Sequence, residues 1–131
     1  MNSLKNIIPI LLLLLHGTSL SANEEFPVRE LYPKVSTIEL EELYNQRAEM
    51  LIIDVRSSYE YNTLHIKEAR HLALDDQDFV ATLQQWRQSD PRPLAFYCNG
   101  HTCKKSYKAA QKAMKGHIDK VYAYDAGIFT W

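Results

Sequence analysis

The chain has 131 residues, enough for one domain at most, and its 15 basic and 16 acidic residues leave a formal net charge of −1. It contains no glycine-rich phosphate-binding motif and no cofactor fingerprint, so no cofactor is expected. A nucleic-acid partner is not expected either.

The amino terminus has the three parts of a secretory signal. Lys5 is the basic residue, residues 7–15 form an apolar core, and small residues follow up to Ala22. The apolar core is shorter than the roughly 20 residues that span a bilayer, which disfavours the alternative of a permanent anchor. We therefore expect residues 1–22 to be a cleaved signal peptide on an exported protein, periplasmic or alternatively secreted, with no membrane anchor after cleavage.

The segment after the signal has no regular pattern. Residues 23–34 contain two prolines and show no periodicity, so we predict a linker or an irregular arm before a domain that covers residues 35–131. At the start of this domain, Ser36 followed by Glu39 matches a capping box. The apolar stripe that begins at Ile38 then predicts a helix.

Short apolar runs alternate with helical patterns in the rest of the chain. The runs are typical of strands buried on both faces in a parallel sheet, and the helical patterns repeat apolar residues along one face. We predict strands at residues 50–55, 94–97 and 120–124 and helices at about residues 79–86 and 103–115. The alternation predicts a single α/β domain with a mostly parallel central sheet and helices on both faces.

Both cysteines of the chain, Cys98 and Cys103, lie in the loop after the predicted strand 94–97. Ligands of open parallel sheets bind at the carboxyl ends of the strands, so this position favours a functional cysteine. A disulfide between the two would close a very short loop and remove little entropy from the unfolded chain, which indicates a redox state more than a structural staple. No metal site is expected, since zinc needs about four ligands and the cysteines with His101 make a poor set.

A reactive cysteine needs an environment that stabilises its thiolate. A loop whose backbone N–H groups point inward, and which leads into the start of a helix, provides it. Asn99 and Gly100 suit such a loop because they tolerate unusual backbone dihedrals. Lys104 and Lys105 add positive potential, whereas we expect the later lysines of this helix to form a solvated face.

Two segments resemble signatures of the rhodanese family. Residues 54–72, which read DVRSSYEYNTLHIKEARHL, resemble its first signature. Residues 97–131, which begin YCNGHTCKKSYK, resemble its active-site loop, following helix and last strand. The similarity covers roughly residues 35–131 and implies a single rhodanese-like domain with the activity of a thiosulfate sulfurtransferase.

The resemblance implies that Cys98 is the catalytic residue. It would accept a sulfane sulfur as a persulfide from a small anionic donor such as thiosulfate and pass it to a thiol or cyanide-like acceptor, including a protein thiol partner. The substrate-binding residues that the resemblance implies are Asn99, Gly100, His101, Thr102, Cys103 and Lys104.

The first signature is expected to support this loop structurally. Asp54 and Arg56 match the family's signature pair, and Glu60 is expected to be an ion-pair partner of Arg56. Residues 91–131 hold 2 acidic and 7 basic residues, a net charge of +5, which suits an anionic donor.

The chain also departs from the family pattern. Leu64 and Glu68 stand where the family usually has glycine, Ala126 replaces one residue of its closing glycine pair, and Cys103 and Lys104 stand where it often has arginine. Alternatives therefore stay open beside the sulfurtransferase. They are a thiol redox protein or a phosphatase on the same fold, and a non-catalytic rhodanese-like binding or sensing module.

The second cysteine has two interpretations. Cys103 could be a resolving thiol that attacks a persulfide on Cys98 and leaves a disulfide between the two. Alternatively, it could fill a small, partly buried site at the start of the following helix. The sequence does not choose between them.

Overall fold

The computed structural model describes residues 25–131, and the predicted signal peptide at residues 1–22 lies outside them. A short 3₁₀ helix at Arg29–Leu31 comes first. The helices and strands then follow in the order α1 (Leu40–Asn45), β1 (Leu51–Asp54), α2 (Ser58–Thr63), β2 (Arg70–His71), α3 (Phe79–Ser89), β3 (Leu94–Tyr97), α4 (Lys105–Lys115) and β4 (Val121–Tyr124). Within residues 25–131, no helix has the length and apolar character needed to cross a membrane.

The strands form one parallel sheet in the order β2-β1-β3-β4. Strand β3 pairs along its whole length with β1 on one side and with β4 on the other. Both β1 and β3 are nearly continuous apolar runs because a central parallel strand is buried on both faces. The predicted parallel α/β architecture is confirmed, and the carboxyl ends of β1 and β3 lie side by side at Asp54 and Tyr97.

Helices cover both faces of this sheet, as predicted. On one face α3 and α4 pack against the sheet, with Phe79, Leu83 and Phe96 fully buried. On the other face α1 packs through Leu43 into a second core that includes Ala95. Neighbouring residues of β3 belong to different cores because successive side chains of a strand point to opposite faces.

The start of α1 differs from the prediction. Its N-cap is Glu39, and no side chain caps the helix, so the predicted capping box of Ser36 with Glu39 is wrong. Ser36 instead lies in an extended segment beside β4, where its carbonyl accepts a hydrogen bond from the amide of Ala123 at 2.9 Å. The same Ser-x-x-Glu spacing does form a capping box at Ser57 and Glu60, where it starts α2.

The part of the predicted arm that the structure describes packs onto the domain. Phe26 and Val28 are buried and belong to the two different cores. Arg29 forms an ion pair with the buried Asp125, with Nε 2.7 Å from Oδ2. The hydroxyl of Tyr107 also donates to Asp125, and burial raises the pKa of Tyr107, which keeps this hydroxyl protonated.

Two positions that suit glycine hold larger residues. Glu68, where the resembled family has glycine, has a φ of 70°, in the left-handed region. At the end of α4 the left-handed residue is His117, with a φ of 60°, whereas the preceding Gly116 has a φ of −81°. Gly116 is instead needed for packing, since a Cβ there would overlap Cγ1 of Val80 on α3.

Candidate active site

Cys98 directly follows β3, so it lies at the carboxyl edge of the sheet beside the end of β1. The loop of residues 98–103 leads from this edge to Lys104 and into α4. Inside the loop, the amide of Cys103 donates to the carbonyl of Gly100 at 3.0 Å and closes a turn. Cys98 is only 1% exposed, whereas Thr102 and Lys104 are exposed. The cysteine is therefore held inside a loop whose later residues meet solvent.

Cys98 and Cys103 are joined in a disulfide. Their Cα atoms are 6.5 Å apart, within the range that a disulfide requires. The bridge lies wholly within the loop, and Cys103 also packs against the core formed with α3 and α4. The backbone of this loop therefore brings the two sulfur atoms together, whereas the sequence alone did not decide whether they meet.

The backbone of the loop is hydrogen-bonded to the last segment of the chain, directly after Gly127. The amide of Ile128 donates to the carbonyl of Cys98 at 3.0 Å, and the amide of Phe129 donates to the carbonyl of Asn99 at 3.1 Å. Gly127 has a φ of 68°, and a Cβ at this position would lie 2.6 Å from the amide nitrogen of Gly100. Only glycine lets the two backbones approach in this way.

The backbone of the loop itself is less unusual than predicted. Among residues 25–131, a positive φ occurs at Glu68, His117, Lys120 and Gly127. Asn99 and Gly100 are not among them, so the expectation that these two adopt unusual dihedrals is wrong. The left-handed residue in this part of the site is Gly127, which lies in the segment that packs on the loop.

The buried carboxylate of Asp54 lies at the end of β1. It accepts hydrogen bonds from Arg56 Nη2 at 2.7 Å, from the amide of Arg56 at 2.9 Å and from the hydroxyl of Tyr97 at 2.7 Å. The Tyr97 hydroxyl in turn accepts from the amide of Ile66 at 3.1 Å. Burial raises the pKa of Tyr97, so its hydroxyl stays protonated and Asp54 keeps this donor. A buried charged group needs hydrogen-bond partners, and those of Asp54 come from Arg56, just after β1, and from Tyr97, at the end of β3.

Arg56 connects this network to the loop. Its Nη1 donates to Oδ1 of Asn99 at 3.3 Å, and its Nη2 donates to the carbonyl of Leu64 at 2.6 Å. The predicted ion pair between Arg56 and Glu60 is not formed. One oxygen of Glu60 accepts from the amide and hydroxyl of Ser57, and the other accepts from Asn99 Nδ2 at 3.1 Å. The Ser57 hydrogen bonds hold the pKa of Glu60 below its usual range.

His101 is turned toward the amino-terminal arm. Its ring stacks on Phe26 with 4.4 Å between ring centroids. Its Nδ1 lies 3.0 Å from the carbonyl oxygen of Glu25, and its Nε2 lies 3.3 Å from Oγ1 of Thr130. The histidine therefore joins the loop to both ends of the described chain.

An apolar cleft of about 290 Å³ adjoins the loop at Asn99. Tyr59, Leu64 and Phe129 line it and are exposed. A larger cleft of about 470 Å³ includes residues 117–122 and lies at the amino end of β4, at the opposite edge of the sheet from Cys98. Of these two clefts, only the smaller one lies at the edge of the sheet that holds Cys98, and a third cleft of about 150 Å³, lined in part by Arg56 and Lys105, lies there as well. No cluster of three or more potential metal ligands occurs within the described part of the chain.

Sequence reasoning missed three contributors to this site. Tyr97 is predicted only as part of the strand 94–97, and nothing in its sequence context indicates that its hydroxyl meets Asp54. Phe26 lies in a segment without periodicity, so its contact with His101 carries no sequence signal. The role of Ser57 could have been found, because its spacing to Glu60 matches a capping box.

Comparison with known proteins gives the family. Residues 36–131 match the model of the rhodanese-like domain. The chain is 29% identical over 103 residues to the thiosulfate sulfurtransferase GlpE of Coxiella burnetii, over 77% of this chain and 88% of that protein.

Solved structures share the fold. The human single-domain sulfurtransferase TSTD1 aligns with a TM-score of 0.60 and 22% identity, over 74% of this chain and 95% of its own. A Rhodopseudomonas palustris protein described as a possible tyrosine phosphatase aligns with a TM-score of 0.64 and 21% identity, over 79% of this chain and 84% of its own. These structures show the shared fold, and because the family model matches most of the chain, the chain belongs to the rhodanese family.

Proposed function

We propose that this protein is a sulfurtransferase that carries sulfane sulfur on Cys98. The observation that carries the proposal is the position of Cys98, which follows a central parallel strand and begins a loop that leads into α4. Membership of the rhodanese family supports the same conclusion, as does the similarity to a protein named as a thiosulfate sulfurtransferase.

The proposed reaction begins with the reduced enzyme. The Cys98 thiolate attacks the sulfane sulfur of thiosulfate, the sulfur–sulfur bond of thiosulfate breaks, and sulfite leaves with the bonding electron pair. The persulfide on Cys98 then passes its outer sulfur to a thiol or to cyanide. The first amides of α4 have no intrahelical partner and the amino end of a helix favours negative charge, so the start of α4 suits an anionic donor.

Charge around the loop supports an anionic donor. Lys104 and Lys105 are exposed where the loop enters α4, and residues 91–131 hold 7 basic and 2 acidic residues. Lys108 is exposed one turn further along the same helix. We propose that Lys104 attracts the donor by its charge and that Lys108 only faces solvent.

We also propose the compartment in which the protein acts. A signal-like segment at residues 1–22 supports an exported, periplasmic protein.

The test measures thiocyanate formation from thiosulfate and cyanide after full reduction of the protein and removal of the reductant. With cyanide in large excess over the protein, so that it captures the persulfide as it forms, we expect the reduced wild type to form thiocyanate and Cys98→Ser and Cys98→Ala to form none, because the hydroxyl and methyl groups cannot carry sulfane sulfur. Circular dichroism of both variants checks that they fold. Equal turnover in Cys98→Ser would refute the proposed function.

The role of Lys104 is tested with a matched pair of variants. We expect Lys104→Glu to raise KM for thiosulfate, with a larger effect at low salt, because charges are screened within about 10 Å at 0.1 M salt. Lys115→Glu makes the same charge change at the far end of α4, roughly 16 Å along the helix axis, and should leave KM nearly unchanged. Equal effects of the two substitutions would assign the result to overall charge and not to Lys104.

A further inference from the structure

We propose that Cys103 is a resolving cysteine that turns the sulfurtransferase into a sulfide-releasing, dithiol-dependent reductase of thiosulfate. This inference rests on the proposed function, because it needs the persulfide on Cys98. It assigns the first reductant of the carried sulfur to a residue of the chain itself. It also defines the external partner as a reducing dithiol.

The loop geometry carries this inference. The disulfide joins Sγ of Cys103 to Sγ of Cys98, which is the inner sulfur of a persulfide carried on Cys98. The turn from Gly100 to Cys103 and the packing of Cys103 on the core fix its position in the loop. No movement of another segment is needed to bring the thiol to this sulfur, because both residues belong to one turn-containing loop.

Burial favours the internal thiol over an external one at the inner sulfur. Cys98 is 1% exposed, while Cys103 is partly exposed. An external thiol therefore meets the inner sulfur only by entering the loop, whereas Cys103 already lies against it. An attack on the inner sulfur expels the outer sulfur of the persulfide, which is a good leaving group because it departs as hydrosulfide.

The step balances without a further oxidant. The Cys103 thiolate attacks Sγ of Cys98, a bond between the two cysteine sulfurs forms, and the bond to the outer sulfur breaks. The outer sulfur leaves with the electron pair as hydrosulfide and takes up a proton from water. Sulfane sulfur is thereby reduced to sulfide, and the two cysteines are oxidised to the disulfide.

Renewal of the enzyme then requires a dithiol. One thiolate of the dithiol attacks the exposed side of the bridge at Cys103, and its second thiolate resolves the mixed disulfide. The cysteines are reduced, and the dithiol becomes a disulfide. Each cycle therefore consumes thiosulfate and a dithiol and produces sulfite, sulfide and the oxidised dithiol. A thiol–disulfide exchange reaction in the same compartment must supply the electrons.

The experiment is a single turnover without oxygen, external thiol or cyanide. Reduced wild-type protein, Cys103→Ser and Cys103→Ala are each mixed with thiosulfate, and intact mass and released sulfide are measured over time. A wild-type sample without thiosulfate controls for adventitious oxidation. We expect the wild type to lose two hydrogens and release one sulfide per chain. Both variants should instead retain one added sulfur atom on Cys98 and release no sulfide.

The outcomes separate this inference from the proposed function. If the wild type keeps the added sulfur as long as the variants do, and releases no sulfide, Cys103 only packs and the inference is overturned while Cys98 remains a sulfur carrier. If neither the wild type nor the variants gain sulfur or release sulfide, both proposals fail together. If sulfide appears equally in all three proteins, Cys103 is not the thiol that resolves the persulfide, because the chain has no third cysteine and the remaining thiol is Cys98 of a second molecule, and the inference is also overturned.

A second measurement tests whether the external reductant must be a dithiol. After the single turnover, a dithiol such as dithiothreitol should restore the wild type to the reduced mass and permit a second release of sulfide. A monothiol at the same thiol concentration should do so more slowly, because it cannot resolve the mixed disulfide internally. Equal rates for the two reductants would contradict a dithiol partner.

Discussion

Replacing Gly127 with alanine should weaken the hydrogen bonds between the loop of residues 98–103 and the last segment of the chain, and it should destabilise the domain. A residue with a Cβ in the left-handed region costs about 1–2 kcal/mol. The new Cβ would lie 2.5 Å from the carbonyl carbon of Asn99 and 2.6 Å from the amide nitrogen of Gly100. These are backbone atoms and not the ends of flexible side chains, so the two segments must separate.

Separation weakens the hydrogen bonds from Ile128 and Phe129 to the loop, each of which contributes about 1 kcal/mol net. Together with the backbone strain, we expect the free energy of unfolding to fall by about 3 kcal/mol. For a domain of this size, this corresponds to a decrease in Tm of roughly 12 °C. The measurements are urea denaturation and thermal melting, each followed by circular dichroism.

Gly100→Ala is the matched control within the same contact. A Cβ on Gly100 would lie 3.5 Å from Phe129 Cδ2, an ordinary van der Waals distance, and its φ is not positive. We therefore expect a change within about 1 kcal/mol of wild type. If Gly127→Ala were as stable as Gly100→Ala, the close approach of the two backbones would not be a constraint, and the reasoning would be refuted.

Three further substitutions test other parts of the structure. Glu68→Gly removes a left-handed non-glycine residue and should raise the free energy of unfolding by about 1 kcal/mol; an unchanged or lower urea midpoint would contradict this. Arg29→Ala leaves the buried Asp125 without its ion-pair partner and should cost about 2 kcal/mol in the same assay, whereas unchanged stability would show that this ion pair adds nothing. Hydrogen bonds from Arg92 lower the pKa of Asp90 from 3.8 to about 2, so its stabilising effect is present above pH 3.8 and is lost as the pH falls through about 2. Asp90→Asn should therefore be less stable than wild type at neutral pH, with a difference that shrinks toward pH 2. A difference that does not vary with pH would argue against this ion pair.

The sheet could be predicted because its central strands carry a strong local signal. The runs LIID and LAFY are fully or almost fully apolar, and both strands are buried on both faces. In contrast, α2 buries none of its residues, so no apolar stripe marks it. Strand β2 has only two residues, one exposed and one half-buried, and its pairing with β1 depends on the tertiary fold.

The candidate site also has a part that the sequence predicts and a part that it does not. The position of Cys98 follows from the rule that parallel sheets place ligands at the carboxyl ends of strands. The partners of the surrounding groups do not follow from sequence. Glu60 binds Asn99 and not Arg56, because its other oxygen is held by the capping box. The contact of His101 with Phe26 joins residues far apart in the chain, which no local pattern encodes.

The extended segment beside β4 has a consequence for how the protein behaves at high concentration. Ala123 is bonded on its outer side to Ser36 and Ile38, at 2.9 and 3.1 Å, so the outer backbone groups of this β4 residue are already paired. At the other border, β2 is only two residues long and carries the exposed charge of Arg70. Open strand edges are where sheets of different molecules join and aggregate. Both borders of this sheet are therefore protected against edge-to-edge association, one by a covering segment and the other by its shortness and charge.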